Sequence, residues 1–272
     1  MALPPSLQSL KFLESCPQLD SILLSASSCT SIHPRLVELL VTRCDQLHRL
    51  PGGLGELLLP CLRKLTLRGC ESLVELPEDF TSLTRLENLS FPALPSLVTF
   101  ESTQKSLRGC ESLVELPDDF TSLTRLESFV ISGSPFLSSL PRNFGQMPAL
   151  KVLVLESLAL SALPNSLCRL NSLEALFLMN CDEIVHLPAE FSRLTALKSL
   201  CLVGMRWLVL PEEIGELPGL LAFHMSENEQ ELLPEQVLLP KQVLLPPSFS
   251  QLSSLTDLEF LSCNIRTLPE GM

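Results

Sequence analysis

The 272-residue chain carries 31 acidic against 19 basic residues, a net charge of −12, and 46% of it is hydrophobic. That apolar share can bury enough surface to offset chain entropy, which excludes disorder, and the acidic balance lacks the basic footprint of a nucleic-acid binder. Leucine fills 65 positions, Trp one and Tyr none; this skew departs from the mixed core of an ordinary enzyme, and Pro or a charge interrupts each apolar run short of a membrane span.

In chain order, the opening stretch MALPPSLQSLKFLESC has neither a basic region nor a continuous apolar one, so no signal peptide is expected. The expected location is cytoplasmic, with the ten cysteines as reduced thiols. No two cysteines are spaced CxxC and the four histidines are scattered, so neither a metal nor another cofactor is expected.

The opening already lies inside a repeat, with Leu3-Pro4, Leu7, Leu10 and Phe12. Leu-Pro pairs return at Leu50, Leu76, Leu116, Leu140, Leu163, Leu187, Leu210, Leu245 and Leu268, at spacings of 26, 40, 24, 23, 24, 23, 35 and 23 residues. A full copy reads Leu62, Leu65, Leu67, Cys70, Leu73, Leu76-Pro77, Phe80, Leu83, and another Leu173, Leu176, Leu178, Cys181, Ile184, Leu187-Pro188, Phe191, Leu194. This is the leucine-rich-repeat frame, LxxLxL followed by an Asn/Cys position.

Each part of the frame has a physical role. The LxL step alternates as a short strand with one buried face does, which predicts strands over Leu65–Leu67, Leu153–Leu155, Leu176–Leu178, Leu200–Leu202 and Leu258–Phe260. Cysteine at the ninth position puts a small, weakly donating thiol where the chain turns inward. The Pro ends strand pairing, and the near three-residue spacing of Phe80, Leu83 and Leu86 suits a short helical or 3₁₀ turn. One copy cannot bury its own leucines. The expected fold is therefore an α/β solenoid, a curved horseshoe with a parallel β-sheet on its concave side and short helical, 3₁₀ and irregular segments on its convex side.

The two long spacings mark irregularities. Residues 107–127 repeat residues 67–87 with Glu78 replaced by Asp118, and an irregular junction is expected near 100–106, where Ser102 and Lys105 stand at positions that should be leucine. The tandem LLPEQV-LLPKQV-LLPPSF predicts an insertion near 234–245 that loops out from the convex side. The chain reads as a single array of roughly ten to eleven repeats over 1–272. Neither end shows a polar cap, so it is expected to be part of a longer chain.

The pattern LxxLxLxxCxxLxxLPxxFxxLxxL resembles the repeats of plant intracellular nucleotide-binding leucine-rich-repeat disease-resistance proteins, and it is similar also to cytoplasmic Ras-group leucine-rich-repeat proteins. The first resemblance implies a ligand-sensing, autoinhibitory region acting in plant-type defence signalling. Its intramolecular partner would be a nucleotide-binding domain outside this chain, since no G-x-x-x-x-G-K-[ST] loop is present. The second implies a freestanding scaffold or regulator of a small GTPase or phosphatase.

No catalytic set emerges. Cys16, Cys44, Cys70, Cys110, Cys181 and Cys263 fall at or near the ninth position and read as structural thiols. The acidic pairs Glu78-Asp79, Asp118-Asp119 and Glu212-Glu213 read as solvated convex charge, and His224 has no fixed partner in sequence. The chain is therefore expected not to be an enzyme but to bind protein on its concave face, with no nucleic-acid or membrane partner. That face takes the x positions of the frame. They include Arg43, Arg63, Lys64, Arg68 and Arg108, then Val154, Phe177, Met179, Cys201 and Val203, with Trp207 just beyond its strand, then His224, Glu227 and Glu259. Val154, Phe177, Met179 and Val203 predict an apolar stripe, with Phe177 and Trp207 as anchors; the same residues could instead only cover their neighbouring strands.

Overall fold

The computed structural model describes residues 6–13, 35–50, 59–92, 109–205, 208–226, 243–263, 265 and 268–271. Ten strands form one sheet in sequence order: β1 (Ser9–Leu13), β2 (Glu38–Thr42), β3 (Lys64–Arg68), β4 (Asn88–Phe91), β5 (Ser128–Ser134), β6 (Val152–Leu158), β7 (Ala175–Met179), β8 (Ser199–Val203), β9 (Ala222–Ser226) and β10 (Asp257–Leu261). Each pairs in parallel with the next, and the five strands expected from the LxL steps are among them. Helical structure among the described residues is confined to 3₁₀ segments of three to five residues, such as Glu78–Ser82 and Asn165–Arg169.

Register follows from the leucine frame. Leu10, Leu39, Leu65, Leu89, Phe129, Leu153, Leu176, Leu200, Phe223 and Leu258 align across the sheet and point to the core side. From Leu39 to Phe223 these side chains are essentially inaccessible, whereas Leu258 in the last strand is 36% exposed. The difference is stacking: an inner layer is covered from both sides and an outer one from one side. A second line of aromatic residues closes the core from the convex side, where Phe120 and Phe144 stack with ring centroids 6.3 Å apart and Phe120 lies 5.1 Å from Phe129.

The ninth-position thiols behave as expected of buried weak donors. Cys44, Cys70, Cys110, Cys181 and Cys263 each place Sγ 3.3–3.8 Å from a backbone carbonyl, and none of the described cysteines is in a disulfide. Cys16 lies outside the described residues. The residue just before this position has a left-handed backbone in copy after copy: Arg43, Gly69, Gly133, Ser157, Asn180, Gly204 and Ser262 all have φ between 51° and 64°. At these seven positions the chain takes the same turn whatever side chain stands there.

Both long spacings are excess residues in one place of the repeat. Phe91 in β4 and Cys110 occupy the frame positions of Leu67 and Cys70, so the excess falls within 92–109 and the whole stretch is one repeat. The junction expected near 100–106 lies outside the described residues. The insertion expected near 234–245 ends earlier than that: Val243 already bridges Ile265 and Leu245 packs on the core, so the excess lies within 227–242, which is also outside the described residues.

The convex acidic pairs are only partly free charge. Asp119 accepts a 2.6 Å hydrogen bond from the Thr81 hydroxyl of the preceding repeat, and Asn143 repeats the contact by donating to Thr121 at 3.0 Å. Asp119 is exposed, as expected of solvated charge, and through this hydrogen bond it also ties two repeats together.

Candidate protein-binding face

Strand alternation puts three rows of side chains on the side of the sheet away from the core. The central row runs Lys11, Leu40, Thr66, Ser90, Val130, Val154, Phe177, Cys201, His224, Glu259. On the side where the strands end, a second row contains Thr42, Arg68, Ser132, Glu156, Met179, Val203 and Ser226. On the other side, a third row includes Glu38, Lys64, Asn88, Ser128, Val152, Ala175, Ser199, Ala222 and Asp257.

The structure brings most of the expected residues onto this face. Phe177 and Met179 on β7 and Val203 on β8 are neighbours, all partly exposed. Val154 is directly paired with Phe177 but retains no accessible surface; it is a short branched side chain flanked along its row by Val130 and Phe177. The expectation that Val154 meets a partner is therefore corrected: it supports the stripe from beneath. Cys201, at 3% exposure, does the same on β8, and burial pushes its thiol up to about 11, with the Glu259 carboxylate adding to the effect. Arg63 is also corrected. It precedes β3 and its guanidinium reaches Glu87 at 2.9 Å, because that position forms a ladder of its own along the strand starts. Lys151 with Glu127 at 3.0 Å and Lys198 with Glu174 at 2.7 Å continue the ladder. Arg68 ends β3 on the face. Arg43 occupies the left-handed turn beyond β2 rather than the strand. Arg108, Trp207 and Glu227 lie outside the described residues.

His224 does acquire a fixed partner, its Nδ1 lying 2.6 Å from Oε2 of Glu259 on the neighbouring strand. Cys201, His224 and Glu259 are consecutive in the row, yet the raised thiol opposes the thiolate that a nucleophile would need. Among the described residues there is no cluster of His, Cys, Asp and Glu suited to a metal ion.

Two features of the face escaped the reading of the sequence. Val130 and Val152 extend the apolar patch onto β5 and β6, and Glu156 stands within it beside Met179. Burial raises the Glu156 carboxyl above its usual range, against a smaller opposing effect of a hydrogen bond from Ser132. The signal for Glu156 was present: it follows Leu153-Val154-Leu155 at the offset at which Met179 follows Leu176-Phe177-Leu178.

No protein-family model and no curated protein matches the chain. Among solved structures it is similar to the leucine-rich-repeat domain of the type III effector XopL, with a TM-score of 0.53 and 22% identity over 79% of this chain and 73% of that one. Listeria monocytogenes InlP gives a TM-score of 0.52 at 20% identity over 94% of this chain, and an internalin of the same species, InlF, gives 0.51 at 15% over 77%. The chain spans 57% of the length of each of these two. Likeness at this identity establishes the fold, a leucine-rich-repeat solenoid, and the neighbours are leucine-rich-repeat proteins.

Proposed function

We propose that the chain recognises a protein partner through the open face of its sheet. The observation that carries this reading is the apolar patch of Val130, Val152, Phe177, Met179 and Val203 on outward positions of four adjacent strands, all partly exposed. A sheet face turned to water ordinarily alternates to polar residues, and a contiguous apolar patch rimmed by polar ones marks an interaction surface. Phe177 is its central aromatic side chain, of the kind that dominates interface energetics.

The test starts from peptides selected on the full chain from a displayed random library. Phe177→Ala should weaken their binding by about 2 kcal/mol or more, with the melting temperature nearly unchanged. Arg68→Glu should act mainly on association rate and salt dependence. Glu212→Lys, on the first turn of a convex 3₁₀ segment, should do neither. Silent face variants together with a damaging Glu212→Lys would overturn the reading.

The finer reading is a sensing and autoinhibitory region of a plant-type intracellular immune receptor, acting in cytoplasmic defence signalling with a nucleotide-binding domain as its intramolecular partner. Its support is the repeat pattern, Leu-Pro with cysteine at the ninth position, together with free thiols in the described copies. The gene on either side of this reading frame decides it. A nucleotide-binding domain encoded upstream supports the receptor, whereas terminal caps flanking the repeats make the chain a freestanding regulator of a small GTPase or phosphatase.

A further inference from the structure

The cations of the open face are gathered at one end, where Glu38 pairs with Lys64 at 3.0 Å. Among outward strand positions, the cations Lys11, Lys64 and Arg68 all lie on β1–β3. From β4 to β10 no outward strand position carries Lys or Arg, while Glu156, Asp257 and Glu259 do carry carboxylates. Glu259 has His224 beside it, and Asp257 is exposed at the last strand. Glu156 differs from both. It is partly buried next to Met179, its hydrogen-bonding partner is the Ser132 hydroxyl, and no ion pair joins it to a cation among the described residues.

We propose that Glu156 selects the partner, by receiving a Lys or Arg side chain that lies next to an apolar residue seated on Phe177. The inference rests on the open face being the binding surface and adds the chemistry of its occupant. A carboxylate already drawn out of water gives up little further hydration when a cation arrives, and a charge-assisted hydrogen bond forms in its place. An acidic side chain at the same spot meets repulsion, so the site discriminates by sign. The absence of outward cations from β4 to β10 leaves nothing on those strands to compete with the incoming one. The occupant is thus a protein segment with a basic residue adjacent to its apolar anchor.

The experiment uses the peptides selected on the full chain. They should carry Lys or Arg beside an aliphatic or aromatic residue, and replacing that basic residue by an uncharged one should weaken binding about tenfold, or 1.4 kcal/mol. On Glu156→Gln the same replacement should have no effect, and selection on Glu156→Lys should enrich an acidic residue instead. Circular dichroism establishes that both variants are folded, and the near-isosteric Glu156→Gln keeps the test open if the lysine is not tolerated. Peptides without a basic position, or with one indifferent to Glu156→Gln, overturn the inference while leaving the Phe177 result intact. Peptides indifferent to Phe177→Ala remove the open-face reading itself.

Discussion

Glu156 shows what a single residue on this face does to stability as well as to recognition. Burial raises its folded carboxyl above the usual range, so between the ordinary and the raised value the folded state holds a proton that the unfolded state has released. Stability is therefore lost as pH rises through that window. Glu156→Gln should raise the melting temperature at neutral pH, and the gain should vanish on acidification below the ordinary carboxylate range; a gain independent of pH in thermal melts would contradict the assignment. The left-handed position just before the ninth-position residue is the opposite case. Gly69, Gly133 and Gly204 adopt φ of 59–64° without a side chain to strain, while Arg43, Ser157, Asn180 and Ser262 accept the same conformation because the turn into the core demands it.

Between elements, the convex 3₁₀ segments pack so closely that small residues are obligatory. Following the buried Phe, Leu or Ile of each segment come Thr81, Thr121, Gly145, Cys168, Ser192, Gly215 and Ser250. A Cβ placed on Gly145 would lie 1.7 Å from the Ser166 carbonyl oxygen, and one on Gly215 1.9 Å from that of Ser248. Backbone cannot yield as the far end of a side chain can. Gly145→Ala should thus destabilise by about 1–3 kcal/mol or more in denaturant titration, despite alanine's better intrinsic propensity. A neutral result would mean that the segments are further apart than described. The strand-start ladder of Arg63–Glu87, Glu127–Lys151 and Glu174–Lys198 contributes far less, since exposed pairs are worth about 0–1 kcal/mol each.

Over the whole molecule, each strand touches only its sequence neighbours, which makes the energetics quasi-one-dimensional. Leu39→Ala and Leu200→Ala should each cost about 2–5 kcal/mol, the transfer term plus the cavity. Six strands apart, their effects should add to within about 0.5 kcal/mol. Leu176→Ala combined with Leu200→Ala should not add in this way, because those two side chains are paired in register. Equal additivity in both double mutants would argue against nearest-neighbour stacking.

The period of the leucines was enough to read the solenoid, the parallel sheet, the inward rows and the role of the ninth-position cysteines, because buried faces repeat with the strand and each copy carries the same demand. Strand alternation likewise places Phe177, Met179 and Val203 on one face. Tertiary structure alone decided what depends on neighbours. Gly69 makes the left-handed turn that follows β3, whereas a Cβ on its counterpart Gly109 would lie 1.9 Å from the Ser132 carbonyl oxygen. What surrounds a residue depends on the adjacent repeat, which supplies the partners across the sheet, as well as on the local sequence. For the same reason Val154 lost its surface, Arg63 was drawn to Glu87, and Glu156, unremarked in the linear chain, came to stand beside Met179 within an apolar patch assembled from four separate copies.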